Sequence, residues 1–305
     1  MNSIRIFAPA TVANVACGFD ILGFALCSPG DEISIEFNNL HKIILHDNTP
    51  YHLPLEAEKN VTAVALQSML DALKTNQGFT ITFLQKIMPG SGVGSSAASS
   101  AAGVFGANEL LDKPFTRNNL VQFAMQGERI ASGSAHADNV APALLGGFTL
   151  VRSYTPLDVI SLPSPTIYAT VVHPQIEVRT SDSRKILRHE IPIKKAVEQW
   201  GNVAGLVTGL FTNDYALIGR SLQDVIVEPV RALLIPEFYT IKQAALDAGA
   251  LGCSISGSGP SLFALSETEK TAQKVAAAMQ QGFTNIGIDN HVFVSPINKE
   301  GTRVV

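Results

Sequence analysis

From Ile87 to Asn108 the chain carries no charged residue, and near the start of that stretch it reads Pro89-Gly90-Ser91-Gly92-Val93-Gly94-Ser95-Ser96-Ala97-Ala98-Ser99-Ser100. Glycine at every second position permits φ > 0 and lets an incoming group touch the backbone, while the alanines and serines that follow favour a helix with a narrow waist. The stretch reads as a loop feeding a helix N-terminus. Free N–H groups and the positive end of the helix dipole converge there, which suits a phosphate. Ser95 and Ser96 add hydroxyls for phosphate oxygens or a hard cation. Two common glycine-rich phosphate loops are excluded: a Walker loop needs Lys where Ser95 stands, and the dinucleotide fingerprint needs Gly where Ala97 stands. A membrane span is excluded by Pro89 and the four hydroxyls between Ser95 and Ser100. A plain small-residue loop where helix meets sheet is the competing reading.

The chain has 305 residues, enough for two domains each with its own core. Apolar residues make up 46% and charged ones 16%, which favours a globular chain over a disordered one. A net charge of −4 with no basic cluster argues against nucleic acid as a partner. The N-terminal residues run straight into a strand-like alternation without a secretory apolar segment, so a cytoplasmic location is expected, with no membrane partner. Cys17, Cys27 and Cys253 are odd in number and lack metal spacing, so they are expected as reduced packing positions.

Along the chain, Ile4 to Phe7 and Asp31 to Phe37 alternate as strands, and the small and polar run from Pro9 to Gly23 reads as a functional loop between them. Asn14 and Asp20 in that loop are turn formers on spacing alone. Asn60 is a plausible N-cap for a helix through Lys74, and Phe79 to Phe83 a strand. Thr116 can cap a helix through Arg129. The cluster Glu128, Ser132, Gly133, His136, Asp138, Asn139 follows, and its bland reading is a helix-capping loop. Pro156, Pro163 and Pro165 mark a hinge, which puts the domain boundary near residue 160, with units 1–160 and 161–305. Thr180 to Arg184 and Glu228 to Arg231 bring two arginines into polar company, where both could simply be solvated. Ser256 to Ser261 forms a hairpin turn between short strands, and His291 to Pro296 a final strand.

The glycine run resembles the phosphate loop of the GHMP kinases (galactokinase, homoserine kinase, mevalonate kinase, phosphomevalonate kinase), P-x-x-x-G-L-G-S-S-A-A. Pro89, Gly92, Gly94, Ser95, Ser96, Ala97 and Ala98 match, and Val93 replaces the usual Leu. Within that superfamily the homoserine kinases carry P-A-[TS]-[SA]-A-N-x-x-x-G-F-D-x-x-G, of which Pro9, Ala10, Ala13, Asn14, Gly18, Phe19, Asp20 and Gly23 are kept. Val12 and Ala16-Cys17 depart from it. The pattern E-x-x-x-S-G-x-x-H-x-D-N-V-A-P-A-L-x-G-G is kept from Glu128 to Gly147.

The resemblance implies an α+β chain of two domains, a ribosomal-protein-S5-like N-terminal domain and a ferredoxin-like C-terminal one, with ATP between them. It implies an ATP-dependent kinase of L-homoserine in threonine biosynthesis, with a homodimer left open. Pro89, Gly90, Ser91, Gly92, Val93, Gly94, Ser95, Ser96, Ala97, Ala98 and Ser99 are expected to bind ATP, and Asn60 to lie near its base or ribose. Ser96 and Glu128 offer hard oxygen ligands for Mg²⁺. Homoserine is a zwitterion, so Arg184 and Arg231 suit its carboxylate and Asp20 its ammonium. Asn14, His136, Asp138 and Asn139 complete the expected substrate site. Asn139 stands where mevalonate kinase and galactokinase have an Asp thought to act as base, so the expected catalytic set is Asn139, Glu128 and Ser96. The alternatives are a GHMP kinase of another small alcohol and a non-catalytic sensor on the same fold.

Overall fold

The computed structural model describes residues 3–133, 135–178, 180–188 and 190–305. Its first strands are longer than the alternation in the sequence suggests. β1 (Ser3–Ala13) and β2 (Leu22–Asn38) pair antiparallel, so only residues 14–21 remain as the loop between them. Pro9 does not end the strand, because the register shifts between Pro9 and Thr11 and an irregularity there tolerates a residue with no N–H to donate. The alternation fades past Phe7 because nearly every residue from Ile6 to Ala13 is buried, so both strand faces are covered.

β3 (Ile43–Asp47), α1 (Val61–Leu73) and β4 (Gly78–Gln85) follow, then α2 (Ser95–Leu110), α3 (Arg117–Ser132), α4 (Val140–Leu145) and the hairpin β5 (Phe148–Tyr154) and β6 (Leu157–Leu162). The expected caps are present: the Asn60 side chain accepts from the Thr62 and Ala63 amides, and that of Thr116 from the Asn119 amide. α2 is buried on all sides and rich in small residues, which lets α1, α3, β1 and β2 all close around it.

The second half runs β7 (Tyr168–Pro174), α5 (Thr180–Lys185), α6 (Ile193–Thr212), α7 (Tyr215–Ser221), α8 (Glu228–Arg231), α9 (Phe238–Asp247), β8 (Gly252–Ile255), β9 (Leu262–Ser266), α10 (Glu269–Asn285), β10 (Asn290–Pro296) and β11 (Arg303–Val304). β8 and β9 form the expected hairpin within an antiparallel sheet of order β10-β7-β9-β8.

β10 is not the last strand. Beyond it Leu26 bridges Ile297 and β11 pairs with β1, so the first sheet reads β11-β1-β2-β4-β3, with β5 and β6 branching from β2. A two-residue strand has no period to detect. The sheets share one apolar core: Phe24 of β2 lies 5.0 Å from Phe148 and 5.8 Å from Phe263 of β9, ring centre to ring centre. Cys17 and Cys253 are buried free thiols, both pushed up to about 12 by burial, whereas Cys27 is exposed and does not pack.

Candidate active site

The glycine loop sits where the two halves meet. Gly90, Gly92 and Gly94 have φ of 77°, 75° and 66°, all in the left-handed region. A Cβ on Gly94 would lie 2.0 Å from Thr11 Oγ1, and one on Gly92 would lie 2.9 Å from the Gly259 carbonyl, so packing as well as φ demands glycine there. The loop's carbonyls are held from behind. The Thr11 amide donates to Val93 O (3.1 Å), Ser256 Oγ to Gly92 O (2.7 Å) and Ser261 Oγ to Ser91 O. With its carbonyls bound on the far side, the loop delivers α2 with no side chain capping its N-terminus. The first-turn amides of Ser95, Ser96 and Ala97 are the groups an anion can take.

Beneath the loop lies a buried ion pair that the sequence reading did not include. Lys86 Nζ is 2.9 Å from Asp31 Oδ2 and donates to the Ser95 carbonyl (2.7 Å) and hydroxyl (2.5 Å). Asp31 also accepts from the Ile87 amide (2.7 Å) and Ser99 Oγ (2.5 Å). The hydroxyls of Ser95 and Ser99, expected to face ATP, are therefore committed to the floor of the loop. Ser96 is different: its hydroxyl bonds the Glu128 carboxylate on α3. Burial raises the Glu128 pKa, against the lowering effect of that bond and of Lys86. The expected metal pair is thus together.

Asn139 stands at the head of α4, and its Oδ1 accepts from Thr11 Oγ1 at 2.8 Å. That leaves the amide NH₂ as its donor. Asp138 beside it is buried, and burial together with Asp20 and Glu128 pushes its carboxyl up to about 7.

On the opposite wall Asp20 receives both terminal nitrogens of Arg184, at 2.8 and 3.2 Å, and His136 Nδ1 at 3.7 Å. The sequence reading gave Arg184 and Asp20 opposite ends of a substrate; the structure pairs them with each other, since two facing charges in a partly desolvated pocket bind one another first. Arg231 is only 2% exposed, donates to Gly257 O at 2.8 Å, and stacks on Phe19 at 5.0 Å, with Arg184 on the same ring at 5.6 Å. Burial and the neighbouring Arg184 bring the Arg231 guanidinium down to about 10. Asn14 ties this wall together, donating to Gly257 O (2.7 Å) and accepting from the Asp20 amide (3.0 Å). Burial lowers the His136 pKa, Asp20 raises it, and the two arginines lower it.

One cavity of about 960 Å³ is lined by residues of both sets, among them Asn60, Gly90, Ser96, Glu128, Asn139, Asp20, Arg184 and Arg231. Asn60 reaches it only as a cap: its Oδ1 serves α1 and its Nδ2 donates to Pro54 O at 2.8 Å. The sequence reading also missed a support behind the acceptor wall. Gln199 of α6 donates to Cys17 O (2.8 Å) and Asp224 Oδ1 (3.1 Å) and accepts from the Val225 amide (3.0 Å). Asp224 in turn accepts from the amides of Ile226, Val227 and Glu228 at 2.9 Å each, heading the short α8 that presents Arg231. The one available signal was a Gln on the inner face of an amphipathic helix. Tyr154 OH, which donates to Asp20 O at 2.7 Å, gave none.

Known proteins resemble this chain over its whole length. The GHMP kinases N terminal domain profile matches residues 59–147 and the GHMP kinases C terminal profile residues 206–285, which between them include the glycine loop, Glu128, Asn139 and Arg231. A homoserine kinase of Chlorobium phaeobacteroides is 49% identical over the full length of both chains. The crystal structure of homoserine kinase from Cytophaga hutchinsonii superposes with a TM-score of 0.95 at 54% identity, covering 100% of this chain and 98% of that one. Galactokinase of Lactococcus lactis, 13% identical with a TM-score of 0.74 over 99% and 95% of the two chains, shares the fold. With full-length identity at that level and both halves matched by the same superfamily, the chain belongs to the homoserine kinase family of the ATP-dependent GHMP kinases.

Proposed function

We propose that the chain transfers the γ-phosphate of ATP to the hydroxyl of L-homoserine, giving O-phospho-L-homoserine, a step of threonine biosynthesis. The observation that carries this reading is the acceptor wall, where Asp20 and two guanidiniums meet within one cavity whose other end is an uncapped helix N-terminus. A zwitterion fits that wall. Its carboxylate can take the planar forks of Arg231 and Arg184, and its ammonium can share Asp20. Mevalonate and galactose have no ammonium to share Asp20 with Arg184.

The loop amides and the Ser95 to Ala97 turn hold the phosphates, with the remaining ATP-binding positions shaping the loop around them. Ser96 and Glu128 are hard oxygen donors on adjoining walls and fit Mg²⁺, which needs one or two protein oxygens beside phosphates and water. When bound, the cation neutralises charge on the phosphates. The Asn139 NH₂, fixed because Thr11 holds the other end of the amide, donates to the acceptor oxygen and sets its line of approach. An amide takes no proton, so positioning carries the step through a loose transition state in which the hydroxyl needs little early deprotonation.

We also propose that residues 1–160, with the returning strand β11 added to their sheet, form the ATP-binding unit and the rest of 161–305 the second unit, and that the enzyme works in the cytoplasm, where its three free thiols stay reduced. Among the described residues no helix is long and apolar enough to cross a membrane. The test is coupled ADP release with MgATP and a panel of homoserine, serine, mevalonate and galactose. Turnover with homoserine is expected. Transfer to mevalonate but not homoserine overturns the assignment, and release with none of the four points to a sensor.

A further inference from the structure

β7 carries a buried histidine for which the reaction outlined above has no use. The register that pairs Val172 with Leu262 puts His173 beside Ser261, one step past the end of that ladder, with Nδ1 3.0 Å from Ser261 Oγ. His173 is 4% exposed and Ser261 is fully buried. A polar pair among buried apolar residues, here Val171, Val172 and Leu262, is costly unless each group has a partner.

The bonds from this pair run in one direction. Ser261 Oγ gives its single hydrogen to Ser91 O in the glycine loop, so it meets His173 as an acceptor, and Nδ1 carries the ring proton. Burial lowers the pKa of the ring, as does His291, its partner on β10, while a bond to the Ser91 backbone raises it. The net direction is downward, which leaves the ring neutral at pH 7. Ser91 O is thereby held by two groups from the second half of the chain.

What they fix is a peptide plane. In a trans peptide the carbonyl and the following N–H point opposite ways, so the bonds on Ser91 O also aim the Gly92 amide. Gly92 lines the cavity, and its amide makes no hydrogen bond among the described residues. Glycines flank Ser91 on both sides and leave this peptide free to turn unless something outside the loop restrains it.

We propose that His173 is a positioning residue for ATP, acting through Ser261 on the Ser91–Gly92 peptide so that the Gly92 amide stays aimed at a phosphate oxygen. Its role is at one remove from the nucleotide. The assignment rests on the phosphate role given to the glycine loop above and is independent of the acceptor.

The test is MgATP binding measured by calorimetry without acceptor, beside steady-state kinetics, on the full chain and its variants. His173→Leu removes the donor, and Ser261→Ala removes the link between it and the loop. Each is expected to raise the MgATP Kd and the ATP KM about threefold to tenfold, the size of one neutral hydrogen bond, with the homoserine KM held within about twofold. His173→Asn carries an N–H near the Nδ1 position and is expected to stay within about twofold of wild type. The double variant, His173→Leu with Ser261→Ala, should lose no more than the larger single loss, because both act on one peptide. Circular dichroism checks folding, and Ser261→Ala with His173→Asn decides the matter where His173→Leu does not fold. The proposal is overturned by unchanged MgATP binding in the Leu and Ala variants, by equal rises in both KM values, by additive losses in the double variant, or by an Asn variant as weak as the Leu one. A wild-type chain that binds no MgATP overturns the role of the glycine loop itself.

Discussion

The phosphate loop and the acceptor wall face each other across one cavity and are made of opposite materials. From Pro89 to Ala98 the loop has no ionised side chain, and its Ser91, Gly92 and Val93 carbonyls are tied back by Ser261, Ser256 and Thr11. The acceptor wall consists of side chains from distant segments, Asp20, Arg184 and Arg231, and their charges act on one another and on Asp138 nearby. A backbone site meets its ligand through dipoles that carry no titratable charge. A side-chain site is a balance of charges, and a change in one member is felt by the rest.

The contrast is sharpest at Glu128, the acid that reaches the cavity on the phosphate side. Burial raises its pKa, so its charge costs stability that an amide does not. Glu128→Gln is therefore expected to leave Tm unchanged or higher while kcat falls by roughly 10²–10³ fold. Thermal unfolding beside turnover at limiting Mg²⁺ tests both halves. Unchanged turnover removes Glu128 from the reaction.

That asymmetry also explains how much of the molecule the sequence disclosed. The loop was legible because glycine spacing, proline and the serine pair all act within one short stretch. Helix caps at Asn60 and Thr116 were legible for the same reason. What escaped was pairing across the chain: Arg184 with Asp20 over a separation of 164 residues, Lys86 with Asp31 under the loop, and Gln199 with Cys17 and Asp224. Each of these residues has an ordinary reading in its own neighbourhood. Only the fold shows that Ser95 and Ser99 spend their hydroxyls on the buried pair, or that β11 returns to the first sheet.

On the acceptor wall, Arg231→Lys is expected to raise the homoserine KM roughly tenfold to a few hundredfold and leave the ATP KM nearly unmoved. Arg184→Lys acts in the same direction with a smaller effect, because a lysine can still reach one Asp20 oxygen. Steady-state kinetics with homoserine and with homoserinol, which lacks the carboxylate, separates binding from packing. If the preference for homoserine survives in both variants, neither guanidinium meets that carboxylate.

Gln199 tests whether the wall depends on what stands behind it. Gln199→Ala removes the link between the Asn14 to Asp20 loop and the Asp224 cap, so the homoserine KM is expected to rise about fivefold to tenfold. kcat and the ATP KM should hold within about twofold. Gln199→Glu keeps the acceptor for the Val225 amide but loses the donor to Cys17 O, and it sets a second carboxylate against Asp224, so it should not rescue. Equal losses in both KM values would mean a general loss of structure.

The smallest effect concerns Asp138, and its sign follows from the direction of its shift. The carboxyl titrates at about 7 in the fold and near its ordinary 3.8 when unfolded. Between those values the folded chain holds a proton that the unfolded chain has released, so the contribution of Asp138 to stability declines as pH rises through this window. Below 3.8 both states are protonated and the slope vanishes; above about 7 the full cost of the buried charge is present. Glu128 and Glu228, whose pKa values are also raised, slope the same way, while His136 and His173, whose values are lowered, slope oppositely below neutrality. The total curve is thus a mixture, and only a difference isolates Asp138. Asp138→Asn keeps the shape and removes the titration, so the Tm of the variant minus that of the wild type is expected to grow by several °C between about pH 5 and pH 8. A difference that stays flat with pH would mean that Asp138 is ionised across the whole range, held by Arg184 more strongly than burial and Asp20 oppose it.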